Sequence, residues 1–438
     1  MRRRGLVGLL LVGAVLLATA TARGESPLPE PGLLTIERCL ELGLQNSEQL
    51  KVADHQLAIA RQRMAEAKAG FWPTIQYLLA YNQVSKGDGD YTPKGLGPEK
   101  TYSGSLTLTQ PIYTGGKLEA AYEIARRQVE MAEENIRQVK QKLTYSIKEA
   151  YYQVCLAEET LQVSENAYNN LHRHYQLVEK RYQAGTASKF ELLRAHVQWE
   201  NLKPQVIRAK NGVNLAKLNL ATLIGLEDTV EFSVDLVGKS FKIDRAEDFS
   251  KETLLAAALE NRPEMRQMKL NALVAQTQTK LTEAWYKPNI ATTLTLQNKG
   301  SFDPDNHNPV WKINLGLSGL LYDSGQAKAK IKAAQENEGL VAAQTRNLAD
   351  LLNLEVDQVL KKLEENREVI LANQANITLA EEALKLTEIR FQSGMATTMD
   401  VIDAQLALDQ ALNGYYGGVY AYLTTLAQLD LAIGKDFD

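Results

Sequence analysis

Two hydrophobic periods alternate along the chain, and the alternation occurs twice. In Thr101 to Thr109, Tyr102, Leu106 and Leu108 fall on one face of an extended strand, while Ser103, Ser105, Thr107 and Thr109 fall on the other. Ile290, Leu294 and Leu296 oppose Thr293, Thr295 and Gln297 in the same way. Trp311, Ile313, Leu315 and Leu317 oppose Lys312, Asn314, Gly316 and Ser318. A less regular run, Thr74 to Tyr81, still keeps Ile75, Tyr77, Leu79 and Tyr81 together. The pattern predicts four strands, at about 73–84, 101–113, 288–299 and 309–322, paired into hairpins by loops rich in Gly, Asp and Asn. Each strand is about 10 residues long, apolar on one side, with aromatics at the ends (Phe71, Trp72, Tyr113, Trp285, Tyr286, Tyr322). That is the pattern of a transmembrane β-barrel, with an ordinary half-exposed soluble sheet as the alternative; an open edge cannot sit in lipid, so on the membrane reading several copies of the chain must share one barrel.

After each hairpin the period changes. Gly116 to Gly185 and Gly325 to Gly394 enclose no proline, and Gly339 is the one internal glycine. Each stretch predicts a helix of about 65 residues, roughly 100 Å long at 1.5 Å per residue. Ile147, Val154, Leu161, Tyr168, Tyr175 and Tyr182 recur every seven residues, with Ala150, Ala157, Leu171 and Val178 beside them. Val356, Leu363, Ile370, Ile377, Leu384 and Phe391 repeat the series. A sustained seven-residue period predicts a left-handed coiled coil, with the aromatics as packing knobs. Gly185 and Gly394 then stop the helices, and return helices follow at Lys189 to Leu220 and Met399 to Leu431. These are too short to match the long ones. The helices Thr35 to Ala69 and Ala246 to Ala284, the latter broken at Pro263, would complete the span by stacking end to end with them.

The two halves align. At a shift of 215, Asn46 meets Asn261 and Pro73 meets Pro288. At a shift of 209, Tyr113-Thr114-Gly115-Gly116 meets Tyr322-Asp323-Ser324-Gly325, and Leu223-Ile224-Gly225 meets Ala432-Ile433-Gly434. The chain therefore divides into repeat 1 (34–225), a connecting segment (226–250) with a short strand near Thr229 to Val234 on the outside of the helical body, and repeat 2 (251–434).

Composition narrows the class. Hydrophobic residues make up 45% and charged residues 23%, which excludes a disordered chain and a polytopic helical membrane protein. With 49 basic against 53 acidic residues there is no electrostatic footprint for nucleic acid. Residues 1–22 read as an export signal: three arginines, an apolar run from Leu6 to Ala18, and small residues ending at Ala22, with cleavage after Ala20 as the alternative. Cys39 and Cys155 read as buried thiols, with a disulfide permitted by export. No phosphate-binding loop, zinc-protease or nucleophile-elbow motif is present, so no enzyme activity and no cofactor or metal is expected. His172 and His174 point apart on their helix and read as exposed surface residues.

The order helix, β-hairpin, long helix, glycine turn and return helix, exported and duplicated, resembles the TolC family of outer-membrane efflux and secretion channels. The resemblance rests on Gln110-Pro111-Ile112-Tyr113-Thr114-Gly115-Gly116 and Leu321-Tyr322-Asp323-Ser324-Gly325. It rests equally on the two tips, Arg181-Tyr182-Gln183-Ala184-Gly185 and Arg390-Phe391-Gln392-Ser393-Gly394. It implies a mainly α chain with a small β part, forming a homotrimer with a twelve-stranded barrel in outer-membrane lipid and a trimeric α-barrel tunnel in the periplasm. It further implies docking to a periplasmic adaptor and an inner-membrane pump or ABC transporter. Asp400 and Asp403 then correspond to lumen-lining carboxylates at the entrance; as rings they would favour cations and divalent metal, and crowding would raise their pKa values. Acids near a helix N-terminus also serve its dipole without any such role. Glu191 and Arg194 occupy the same places in repeat 1 and could pair with each other. Where the family pattern places a tyrosine and an arginine that close the entrance, this chain has Phe391 and Ala396, so a different lock is expected, with packing of Phe190 against Phe391 as its form. The tips Gly185, Thr186, Ala187, Ser188 and Gly394, Met395, Ala396, Thr397 are the expected adaptor-docking residues. A periplasmic coiled-coil adaptor or a structural scaffold is the alternative reading.

Overall fold

The computed structural model describes residues 33–83, 100–226, 232–236, 238, 241, 250–301 and 307–435. The expected export signal at 1–22 and both hairpin loops lie outside the described residues. Among the described residues, fourteen strands and α-helices follow the duplicated order. In repeat 1, β1 (Leu33–Leu34), α1 (Ile36–Asn46), α2 (Glu48–Ala69), β2 (Thr74–Gln83), β3 (Lys100–Tyr113), α3 (Lys117–Gln183) and α4 (Lys189–Ile224) succeed one another. A short strand, β4 (Ser233–Val234), leads to α5 (Lys251–Asn261), α6 (Pro263–Glu283), β5 (Asn289–Ser301), β6 (His307–Ser318), α7 (Gln326–Gln392) and α8 (Thr398–Ala432).

The four long strands form one antiparallel sheet in the order β2-β3-β5-β6, so the two repeats meet at the β3–β5 pair. Its register makes continuous rows. Ile75, Leu108, Leu294 and Ile313 are successive cross-strand partners, as are Tyr77, Leu106, Leu296 and Trp311. One residue along, Gln76, Thr107, Thr295 and Lys312 form a polar row. The apolar face has nothing over it: Tyr77, Leu79, Leu315 and Leu317 are 79%, 77%, 68% and 72% exposed. Among the described residues β2 and β6 have no outer strand partner. β6 ends at Ser318 rather than the expected 322, and an extra residue, Ile112, bulges out of β3 where Pro111 cannot donate to the ladder.

Both long helices run 67 residues, about 100 Å, without interruption. α4 packs along α3, and α8 along α7. The seven-residue knobs Ile147, Val154, Val178, Val356 and Ile370 are all buried. The return helices do end against α1 and α5 as the length argument required. The first helix is not continuous over 35–69, however: it breaks at Ser47, whose hydroxyl caps α2 by accepting from the Leu50 N–H, while Asn46 turns its amide to the Ile224 carbonyl at the end of α4. Arg262 holds the matching place in repeat 2. Its side chain is buried, bonds Glu264 and Glu355, and reaches the Ala432 carbonyl at the end of α8.

The largest core gathers Leu143, Ile147, Tyr151 and Val154 of α3 with Cys39, Leu220, Ile224 and Val234. β1 and β4 pair in parallel beside it, and the Tyr151 hydroxyl donates to the Asp235 carbonyl while accepting from its N–H. β1 carried no strand pattern in the sequence, because two residues are too few to show a period. Cys39 and Cys155 are free buried thiols, both pushed up to about 12 chiefly by burial. Among the described residues no helix is long and apolar enough to cross a membrane.

Candidate channel entrance at the helical hairpin tips

The two tips are built alike from short local rules. α3 ends at Gln183, Ala184 caps it and Gly185 follows with φ +77°, so the Thr186 N–H reaches back to the Arg181 carbonyl at 2.8 Å. α7 ends the same way: Gly394 has φ +76° and the Met395 N–H meets the Arg390 carbonyl at 2.8 Å. A side chain at either glycine would strain a left-handed backbone. Each return helix then opens with a capping box. Ser188 and Glu191 exchange bonds at the start of α4, and Thr397 and Asp400 do so at the start of α8.

This geometry separates the predicted residues. Glu191 does not pair with Arg194. Its carboxylate accepts from the Ser188 N–H at 2.8 Å, because position three of a helix is where an acid satisfies the free amide of the cap. Arg194 instead crosses to repeat 2 and meets the Met399 sulfur at 3.1 Å. Asp400 accepts from the Thr397 N–H at 2.7 Å and from its hydroxyl at 2.8 Å, and these bonds hold its carboxyl below the usual range. Within one chain the cap thus acts opposite to the rise expected from crowded charge. Asp403 lies one turn further on, exposed and outside the capping box.

The expected Phe190 to Phe391 packing is not found within the chain. Phe190 is 71% exposed, whereas Phe391 is 5% exposed and sits in a core with Val178, Ala195, Leu384 and Val401, drawn from all four hairpin helices. The ring faces His174 at 4.6 Å and the Arg181 guanidinium at 5.0 Å, and Arg181 donates to the Phe391 carbonyl at 3.1 Å. One small core therefore ties the two tips together. Of the eight expected docking residues, Ala187 and Ala396 pack against it, while Gly185, Thr186, Ser188, Gly394, Met395 and Thr397 are exposed.

Sequence reasoning missed two features here. His174 is buried, not exposed; its Nε2 has no hydrogen-bond partner, and burial pushes its pKa down to about 4. Its place one turn before the Val178 knob was the available signal. A ring stack also joins α3 to α4: Trp199 lies 4.3 Å from His172 and 5.5 Å from Tyr175, and Tyr175 lies 5.0 Å from His196. These positions face each other once the hairpin folds back at Gly185. Among the described residues no group of three or more His, Cys, Asp or Glu could hold a metal.

Sequence comparison completes the assignment. The model of the outer membrane efflux protein family matches residues 39–226 and 254–435, one match for each repeat. The chain belongs to that family. The alkaline protease secretion protein AprF of Pseudomonas aeruginosa is 21% identical over 403 residues, covering 90% of this chain and 83% of AprF. The pyoverdine export outer membrane protein OpmQ of Pseudomonas putida is 23% identical over 387 residues, covering 86% and 80%. The crystal structure of CusC superposes with a TM-score of 0.79 at 18% identity, covering 92% of each chain. As a member of the outer membrane efflux protein family, the protein is an outer-membrane channel serving efflux or secretion, not an enzyme, and it extends into the periplasm.

Proposed function

We propose that three copies of this chain form one conduit and that the tips form its regulated periplasmic entrance, docked to an adaptor and an inner-membrane pump or ABC transporter. The observation that carries the trimer is the sheet: four strands with a bare apolar face and two unpaired edges are too few to close a barrel, and lipid does not accept open edges. Three such sheets joined edge to edge supply twelve strands. The polar row through Thr295 and Lys312 then lines the water-filled interior.

At the entrance, three-fold symmetry turns Asp403 and Asp400 into carboxylate rings that favour cations, while Phe190 and the exposed tip residues remain free for neighbouring chains and the adaptor. AprF and OpmQ carry names for different cargoes, protease and pyoverdine. We accordingly assign cargo choice to the partner pump and passage to this chain. Extraction from outer-membrane fractions, migration as a heat-sensitive trimer and stepwise conductance in planar bilayers test the reading. A soluble periplasmic monomer overturns it.

A further inference from the structure

At the foot of the sheet, where α6 gives way to β5, a cavity of about 320 Å³ opens beside Trp285. Two lysines from different helices approach the same indole: the Lys117 ammonium at the start of α3 lies 5.1 Å from the ring centroid, and the Lys330 ammonium in α7 lies 4.9 Å from it. Lys287 lines the same cavity, and none of the three ammonium groups pairs with a carboxylate among the described residues. Asp323, the one acid in the wall, is engaged in accepting from the Gly325 and Ala327 N–H groups. Three positive charges converge on one small space against a single carboxylate, an excess of positive charge.

The register says which way the cavity opens. Asn289 and Ser318 line it and are cross-strand partners, on the same face of the sheet as the polar rows through Thr293 and Thr295. Their neighbours Ile290 and Leu317, on the apolar face, do not line it. The cavity therefore faces the interior of the conduit, which rests on the channel reading proposed above. It is also particular to repeat 2. At the shifts that align the halves, repeat 1 has Gly70 and Ala121 in place of Trp285 and Lys330, so neither the indole nor the second lysine is a by-product of the duplication.

We propose that this cavity binds a small organic anion carrying an aromatic or other flat apolar part, at the junction of the barrel and the helical tunnel. The ammonium groups would take its carboxylate, sulfonate or phosphate, and Trp285 would take its ring. The volume lies at the lower end of the range of about 300–1,000 Å³ usual for small-molecule sites, which fits a one- or two-ring anion. In the trimer three such cavities would form a cationic collar roughly 100 Å from the acidic tips.

The test is isothermal titration of the detergent-purified full chain with 1-naphthoate, alongside neutral 1-naphthylmethanol and phosphatidylglycerol in mixed micelles. Saturable binding of the naphthoate is expected, with the alcohol at least about tenfold weaker. Lys117→Gln with Lys330→Gln should lower naphthoate affinity by at least about tenfold while trimer migration is kept, and Lys330→Gln alone, at an exposed position, should show a smaller loss. No naphthoate binding, equal binding of the alcohol, or an affinity unchanged in both variants overturns the inference. Binding of phosphatidylglycerol alone, lost in the double variant, overturns it in favour of a lipid headgroup. Conductance is measured separately, so failure to form a channel counts against the proposed function while the titration still decides the site.

Discussion

Arg181 donates to the Phe391 carbonyl at 3.1 Å and lays its guanidinium 5.0 Å from the ring centroid of the same residue. The two residues end the long helices of different repeats, so this contact holds one hairpin tip against the other. A charge-assisted bond of this kind contributes about 2 kcal/mol. Arg181→Ala is expected to raise open-state occupancy in planar bilayers, as the tips lose their link. An occupancy equal to that of the wild type would show that the entrance is held by other contacts.

The core around Phe391 is pH-sensitive through His174. Burial pushes this imidazole from 6.5 down to about 4, so the folded tip refuses a proton that the unfolded chain accepts. Stability is complete above about 6.5 and is lost as pH falls from there toward about 4, by up to about 3 kcal/mol. Once the intrinsic base-catalysed rate is divided out, protection factors in the segments 171–178 and 384–391 should be lower at pH 5 than at pH 7.5, and His174→Gln should flatten the difference. Equal protection at both pH values in the wild type refutes the argument.

The two aspartates of α8 should separate under mutation. Asp403→Asn leaves the capping box intact and is expected to reduce cation selectivity, read as a shift in reversal potential, without altering the tip. Asp400→Asn removes the charge held by Thr397 and should loosen the start of α8 as well as reduce selectivity. The Asp400 carboxyl lies below its usual range, so its contribution is present at neutral pH and is lost only as strong acid protonates it. If the two variants prove indistinguishable by hydrogen exchange at the tip, the distinction drawn here is wrong.

At the end-to-end helix junction, Arg262 neutralises Glu264 and Glu355 at 3.3 and 2.6 Å from a buried position. Arg262→Ala removes the ion pair of Glu355 and leaves Glu264 only the longer contact with Lys142 at 3.9 Å, and should destabilise by about 3 kcal/mol, seen as a lower apparent melting temperature. The matching Ser47→Ala removes only a helix cap and should cost about 1 kcal/mol. A reversed order of the two effects would contradict the assignment.

The sheet predicts opposite outcomes at adjacent positions. Leu294 lies on the apolar face and Thr295 on the polar one. Leu294→Arg should cost about 2–4 kcal/mol in lipid and lower recovery from the outer membrane. Thr295→Arg should be recovered normally and shift ion selectivity. Similar recovery of both would place lipid on neither face.

The sequence by itself determined the elements and their duplication, because periods of two and seven and glycine turns are local rules that short segments obey alone. The strand faces, the two long helices, the tip turns at Gly185 and Gly394, and the order of parts on which the family resemblance rested were all legible in that way. Tertiary structure decided what depends on positions far apart in the chain. Ser47 breaks a helix that looked continuous because Asn46 finds the end of α4. Phe391 turns inward because three other hairpin helices offer it a core, and Arg194 turns from Glu191 to the Met399 sulfur of the other repeat. His174 is buried and Trp285 collects two lysines for the same reason: each partner arrives from another helix. Local hydrogen bonds and periods are written in neighbouring residues, whereas burial and charge pairing are set only when the helices pack.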